Sequence, residues 1–305
     1  MIPCDKCSAP SIVHQRYSGM HLCTRHFEED VLRKIRESIR EYRLLGHGGL
    51  IAVALSGGKD SSTLLYVLNR LFSQRPDIEI VGLTVNEGIA GYRTETLGAG
   101  ERLARELEIP IIPLSFHEEF DLTIDEIAAR KTAQSPCTFC GVLRKTLLNR
   151  AAREMGAMAL ATGHNLDDEA QTVMLNYLRG DIDRLFRLLP ARPQPGMVPR
   201  IKPLRKVPER EVAVFAMTHG LFVPSKSCPH IPRSMRLETK EMINDLEDRH
   251  PGTKYSIMRG FSRIIDLRPE GSFKAHPCER CGEPSGEGIC QTCQLLDLVK
   301  RGQSL

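Results

Sequence analysis

Three groups of residues in this 305-residue chain have types and spacings that could do chemistry: the turn Ser56-Gly57-Gly58-Lys59-Asp60-Ser61, ten cysteines, and the segment Gly163-His164-Asn165-Leu166-Asp167-Asp168. The first reads as a phosphate cradle. Leu50 to Leu55 is a short apolar run of the kind that forms a buried strand, and the two glycines behind it let the backbone turn sharply and present its N–H groups. A helix from Asp60 to about Phe72 aims its positive end at the same spot, where an anion belongs. The spacing is not G-x-x-x-x-G-K-[ST], in which the lysine reaches the terminal phosphates. The competing reading is a plain turn followed by a helix N-cap, with no ligand.

The cysteines divide by spacing. Cys4-x-x-Cys7 is answered by Cys23-x-x-His26, and Cys278-x-x-Cys281 by Cys290-x-x-Cys293, so each set closes the four-ligand tetrahedron of structural Zn²⁺. Disulfides are the alternative and are disfavoured in a reducing compartment. These ends are short and poor in apolar residues, and structural zinc supplies roughly 10–16 kcal/mol of apparent binding energy to such pieces. Cys137, Cys140 and Cys228 remain. Three thiolates can hold a four-iron four-sulfur cluster with one iron left open, since that cluster ordinarily takes four cysteines. A redox dithiol at Cys137 and Cys140, a zinc site completed by His230, and three inert buried thiols fit the count equally well.

Positioning these groups requires a sheet with an active edge. Strand-like runs at Glu79 to Val85, Ile111 to Ser115 and Met158 to Thr162 follow the first strand and alternate with helical stretches near Thr94 to Leu107, Leu122 to Lys131 and Gly141 to Met155. Such alternation describes an α/β fold, a parallel doubly wound sheet whose ligands sit at the carboxyl ends of its strands. The Ser56 turn, Asn86-Glu87-Gly88 and Gly163 to Asp168 all leave strands at that edge. In the last of these, Asn165 or Asp167 suits a helix N-cap, and Asp168 is placed to hold Mg²⁺ against phosphates. His26 to Leu45 has apolar residues at helical spacing, and its arginines read as a solvated face.

Composition narrows the classes further. A net charge of +4 does not by itself imply nucleic acid, and with 41% hydrophobic residues no run approaches a membrane span. The N-terminus goes directly into paired cysteines without an apolar signal region, which points to the cytoplasm. From Arg184 to Pro208 there is no acid, whereas Arg184, Arg187, Arg192, Arg200, Lys202, Arg205 and Lys206 recur among prolines. This run suits a phosphate backbone, or else a solvated linker.

The cradle, Pro136-Cys137-Thr138-Phe139-Cys140-Gly141-Val142, Thr162 to Asp168, Leu178-Arg179-Gly180-Asp181 and both quartets occur in one order. In that order the chain resembles the tRNA 2-thiouridine synthetases, which are N-type ATP pyrophosphatases. Glu87-Gly88-Ile89-Ala90-Gly91-Tyr92-Arg93, the Thr-Phe inside the central C-x-x-C, and Cys293-Gln294-Leu295-Leu296-Asp297 look most like the archaeal and eukaryotic cytoplasmic tRNA 2-thiolation branch. The resemblance implies five parts: an N-terminal zinc module (1–27), a linker helix (28–48), a pyrophosphatase catalytic domain (49–222), a helical extension with the third cluster cysteine (223–272) and a C-terminal zinc ribbon (273–305).

The same resemblance implies roles. Ser56, Gly57, Gly58 and Ser61 would bind phosphate, with Lys59 and Asp60 managing charge or Mg²⁺ and Asp60 needed for catalysis. Arg144, Gly163 and Asp168 would complete the ATP pocket, and Cys137, Cys140 and Cys228 would hold the iron-sulfur cluster. The expected reaction is adenylation of a uridine C2 oxygen in tRNA, the wobble position favoured over the T-loop, followed by displacement of AMP by sulfur. Sulfur would come from free sulfide or a ubiquitin-like carrier. In the cluster-free version Cys140 or Cys228 carries a persulfide that ends as a disulfide. The expected assembly is a homodimer, or a heterodimer with a second thiolation subunit. A zinc-scaffolded tRNA-binding module without catalysis is the reading from another class.

Overall fold

The apolar run before the glycine turn becomes the middle strand of the main sheet because it can be buried on both faces. The computed structural model describes residues 2–42, 48–130, 132, 134–186, 188, 195–221, 227–230, 234–266 and 275–301. A hairpin of β1 (Val13–Gln15) and β2 (Met20–Leu22) leads into α1 (Thr24–Tyr42). There follow β3 (Gly49–Ala54), α2 (Lys59–Phe72), β4 (Ile78–Asn86), α3 (Arg93–Glu106), β5 (Ile111–Ser115), α4 (Phe116–Phe120), α5 (Ile124–Ala129) and α6 (Pro136–Glu154). The remainder comprises β6 (Ala159–Ala161), α7 (Leu166–Leu178), α8 (Ile182–Phe186), β7 (Arg200–Ile201), α9 (Glu209–Thr218), α10 (Met235–Arg249), α11 (Thr253–Asp266), β8 (His276–Pro277), β9 (Pro284–Ser285) and α12 (Gln291–Arg301).

The main sheet has five parallel strands in the order β5-β4-β3-β6-β7. Successive strands build outward from β3 on one side, and β6 then starts the other side. The order therefore reverses between β3 and β6, and a crevice for ligand opens beyond their carboxyl ends. Alternation along β3 feeds two cores. Ile51 and Val53 pack with Phe27 and Ile35 of α1, Leu64 and Leu68 of α2 and Phe215 of α9. Ala52 faces the other way, toward Phe139, Leu143 and Leu147 of α6, Ile127 of α5 and Leu295 and Val299 of α12.

Both terminal modules are built into these cores. Cys4, Leu22 and Cys23 belong to the same buried cluster as Phe27. At the other end α12 docks on α6, where the Thr146 and Thr292 hydroxyls meet at 2.7 Å, and Arg150 and Arg153 contact Glu283 at 3.0 and 2.7 Å. No helix among the described residues is long and apolar enough to cross a membrane.

Four elements differ from the sequence expectation. The helix expected from Gly141 begins at Pro136: Ser135 accepts the Thr138 N–H as N-cap, and proline suits the first helical position because its missing N–H has no partner there. Cys137 and Cys140 therefore lie on the first turn of α6 rather than before it. The helix expected at Leu122 to Lys131 is shorter, opened by a Thr123/Glu126 capping box, and Lys131 lies outside the described residues. The fifth strand, β7, falls inside the basic stretch; two residues are too few to carry a period. The first helix starts at Thr24, so His26 sits in its first turn and α1 runs across residues 27 and 28 without a break.

Candidate active site at the carboxyl edge of the sheet

The turn after β3 is closed by its own hydroxyls. Ser61 Oγ donates to Gly58 O at 3.1 Å and accepts from Ser56 N at 3.1 Å, and the Ser56 and Ser61 hydroxyls lie 3.0 Å apart. Gly57 has φ +77°, and a Cβ there would stand 1.6 Å from the Thr96 carbonyl of α3. Only glycine fits. Gly163, leaving β6, approaches as closely, since a Cβ on it would lie 2.9 Å from Ser61 N. Gly58 precedes α2 without a side-chain cap, so the first N–H groups of that helix are left to an anion.

Three carboxylates gather beside this turn. Asp60 accepts from Asn165 Nδ2 at 3.0 Å and pairs with Lys59 at 2.8 Å, and Lys59 also reaches Glu209 at 3.0 Å. Asp168 forms a reciprocal capping box with Asn165, each bond 3.1 Å. Burial, and then the charges of Asp60 and Glu209, push the Asp168 carboxyl up to about 6 against the Asn165 N–H that holds it down. Carboxylates that repel one another beside a phosphate cradle are a donor set suited to Mg²⁺. Asp167, its neighbour in sequence, is turned elsewhere: it accepts the Glu209 N–H at 2.7 Å and contacts Lys254, tying α7 to α9 and α11.

The cysteine trio lies on the cysteine-bearing turn of α6 and the segment 227–230. Cys137 Sγ donates to the His230 carbonyl at 3.2 Å, and His230 Nε2 meets Asp125 at 2.6 Å, which fixes that segment against α5. His230 is thereby committed to Asp125. Cys228 lies close enough to act electrostatically on both Cys137 and Cys140. Burial pushes the Cys140 thiol up to about 11, with the Arg144 guanidinium acting in the opposite direction. The trio is not among the groups whose ligand atoms all lie within 4.8 Å of one another. A single ion needs that closeness, whereas cysteines spread around a larger cluster do not.

An ionic relay, buried at Glu87 and Arg93 and exposed at Arg144, runs from the guanidinium acting on Cys140 to the phosphate turn. Arg144 contacts Glu87 at 3.2 Å, Glu87 faces Arg93 Nε at 2.5 Å, and Arg93 donates to the Ser56 carbonyl at 3.2 Å and to Thr96 Oγ1 at 3.1 Å. The Glu87 side chain is 2% exposed and that of Arg93 5%, so neither charge could stay there without the other. Sequence reading placed Glu87 and Arg93 in a motif but gave them no task. Nor did it find Asn165 as a partner of Asp60, or Glu209.

The quartets are tighter. Cys4, Cys7, Cys23 and His26, and likewise Cys278, Cys281, Cys290 and Cys293, bring their ligand atoms within 4.8 Å of one another. Cys4 Sγ is 3.3 Å and Cys23 Sγ 3.4 Å from His26 Nδ1, and Cys281 and Cys290 are 3.6 Å apart. Burial opposes ionisation of Cys278, but the N–H groups of Cys290, Cys281 and Arg280 outweigh it and bring the thiol down to about 6. Such thiolate-rich sets suit one tetrahedral ion.

The described residues of the basic stretch do not form one patch. Lys202 pairs with Glu169 at 2.6 Å, Lys206 with Glu41 at 2.6 Å and Arg205 with Glu41 at 3.5 Å. Arg184 and Arg200 instead join Lys145 and Arg236 beside Arg144, the four arginines all acting on the Lys145 charge. Arg187 and Arg192 lie outside the described residues.

Residues 27–224 match the PP-loop domain, and residues 4–28 match the N-terminal LIM domain of the 2-thiouridine synthetase TtuA. The chain is 38% identical to the tRNA 2-thiolation protein NcsA of Haloferax volcanii, covering 97% of this chain and 99% of that one. It is 35% identical to the tRNA-5-methyluridine(54) 2-sulfurtransferase of Pyrococcus horikoshii, covering 97% and 94%. Among solved structures, the U34-tRNA thiolase NcsA from Methanococcus maripaludis with its 4Fe-4S cluster superposes with a TM-score of 0.87 at 37% identity, covering 99% of this chain and 96% of that one.

Proposed function

The chain belongs to the PP-loop tRNA 2-thiolation proteins, and from that premise we propose that it activates a tRNA uridine with ATP and replaces its C2 oxygen by sulfur. The observation that supports this reading is the relay Arg144–Glu87–Arg93–Ser56, which runs from the guanidinium acting on Cys140 to the carbonyl of the phosphate turn. Two chemistries that share a pocket can act on one atom in turn.

In the first step the uridine C2 oxygen attacks the α-phosphorus of ATP and pyrophosphate leaves. Activation is required because a urea-like carbonyl oxygen is a poor leaving group. The N–H groups at the start of α2, the Ser56 and Ser61 hydroxyls and Lys59 hold the outer phosphates and meet the charge that moves onto pyrophosphate. Mg²⁺, held by Asp60 and Asp168 with Glu209 beside them, would neutralise part of that charge. In the second step sulfide adds to the adenylated C2 and AMP leaves. Cys137, Cys140 and Cys228 would hold a four-iron four-sulfur cluster, which when bound supplies an iron with an open position for the incoming sulfide. Arg144, between Cys140 and Glu87, places positive charge where AMP departs.

The two quartets would hold structural zinc in modules 1–27 and 273–305 around a catalytic domain of 49–222. The wobble uridine is the favoured target, as the Methanococcus neighbour is described as a U34 thiolase. Position 54 is the second reading, favoured by the Pyrococcus relative.

Anaerobically purified protein given ATP, Mg²⁺, sulfide and unmodified tRNA is expected to release pyrophosphate only with tRNA and to form 2-thiouridine, mapped by nucleoside mass spectrometry. Asp60→Ala is expected to end both. Active protein devoid of iron would remove the cluster from this mechanism, and tRNA binding without pyrophosphate release would reduce the protein to a binding module.

A further inference from the structure

Charge around the pocket is unevenly compensated. Arg144 has Glu87 at 3.2 Å, Arg184 has Asp181 at 3.6 Å and Lys202 has Glu169 at 2.6 Å. Among the described residues no carboxylate is paired with Lys145, Arg200 or Arg236, although these come from three separate elements, α6, β7 and α10. Arg200 spends one N–H on the Lys145 carbonyl at 3.2 Å, and its Nε is buried with no hydrogen-bond partner. Arg236 reaches only a hydroxyl, Thr172 Oγ1, at 3.2 Å. Partial desolvation of the Lys145 ammonium, and then the like charges of Arg200, Arg184, Arg144 and Arg236, push it down to about 8. Three elements that converge cations at such a cost imply a counter-ion supplied from outside.

We propose that Lys145, Arg200 and Arg236 form a phosphodiester subsite that seats the tRNA backbone beside the reacting nucleotide. The proposal rests on the thiolation reading above and adds to it a specific anchor. ATP does not fit the role, because its outer phosphates belong at the Ser56 turn, where Lys59 and the start of α2 already meet them. The group is bordered by Asp168, on which Arg236 acts, and by Arg144, which faces the cysteines. It therefore spans the gap between the nucleotide carboxylates and the trio. A uridine that brings its C2 oxygen into that gap carries a phosphodiester on each side of its ribose, each with one negative charge and no base information. Lys145 and Arg236 are solvent-exposed and so within reach of a polynucleotide, whereas Arg200 is half-buried and fixes the arrangement from beneath.

The test is binding of an unmodified tRNA transcript by wild type, Lys145→Met, Lys145→Arg and Arg236→Gln between 50 and 200 mM salt, with KM for ATP measured on the same preparations. Lys145→Met is expected to bind the transcript about ten-fold more weakly and to lower the salt slope by about 1, with Arg236→Gln following and Lys145→Arg close to wild type. Unaltered KM for ATP, metal content and thermal melting exclude misfolding and a site for ATP. A wild type that binds the transcript while both charge-removing variants match it in affinity and slope overturns the subsite and leaves the thiolation reading intact; so does a rise in KM for ATP alone. A wild type that fails to bind the transcript overturns both.

Discussion

The quartets and the trio set the same side chain in opposite surroundings. In the quartets the ligand atoms all lie within 4.8 Å, and five of the seven cysteines are buried. Backbone N–H groups point at their sulfurs, as Cys290 N does at Cys278 at 3.3 Å. In the trio the ligand atoms do not all lie within 4.8 Å of one another, Cys137 is exposed and Cys140 and Cys228 are half-buried, and the Arg144 guanidinium, paired with Glu87, acts on Cys140. A closed shell holds structure, and an open one beside a cation suits chemistry.

The largest expected difference is in stability. Cys290→Ser removes one ligand from a site that makes much of the C-terminal module, and zinc sites of this kind carry roughly 10–16 kcal/mol of apparent binding energy. It is expected to lose one zinc per chain and several kcal/mol of stability, read by metal analysis and chemical denaturation. Full stability in a zinc-free Cys290→Ser would erase the contrast between the two sets.

Cys140→Ser is expected to do the converse. Two remaining thiolates cannot hold the cluster, so thiolation is expected to fall at least about a hundred-fold while zinc content and melting stay near wild type. A protein that melts with the quartet variants after this change would mean that the trio is structural too.

Glu87→Gln probes the relay between the regions. It leaves Arg93 buried beside a neutral amide, at a cost of about 3–5 kcal/mol in stability, and frees Arg144 from its partner. We expect kcat for thiolation to drop about ten-fold with KM for tRNA unchanged. Equal losses in kcat and in tRNA affinity would place Glu87 in RNA binding rather than in positioning Arg144.

What was legible in the sequence follows from how far apart the partners are in the chain. The phosphate turn is contiguous, so Ser56 to Ser61 could be read directly, and each quartet is made of short knuckles. The sheet followed from alternation of periods, because β3, β4 and β5 are long enough to show one. The relay was invisible because Arg144 and Glu87 are 57 residues apart, and the Lys59–Glu209 pair likewise because its members are 150 apart. The acid-free run left two readings open for the same reason: its lysines meet Glu41 and Glu169 from other helices, whereas two of its arginines find Lys145 and Arg236. Charge in one dimension does not show where compensation lies.

The smallest effect asks whether the two sets are one cooperative unit, since α6 carries Cys137 and Cys140 of the trio at its start and holds the C-terminal module at its end. Glu283, between the two knuckles of that quartet, is buried and accepts from Arg153 at 2.7 and 3.0 Å and from Arg150 at 3.0 Å. Burial raises its carboxyl, but the two guanidinium groups outweigh that and hold it below its ordinary 4.5. The stabilisation is therefore complete above that value and is lost as pH falls through the lowered one. Arg150 keeps Glu119 at 2.8 Å, so Glu283→Gln is expected to cost only about 1–2 kcal/mol at pH 7, with the gap to wild type closing as pH falls below about 4.5. Chelators should strip zinc from this variant faster while iron and thiolation hold, because the contact lies several turns along α6 from Cys140. Parallel loss of iron would show that the ribbon clamps the whole helix, and that the reactive trio depends on the structural quartet for its geometry.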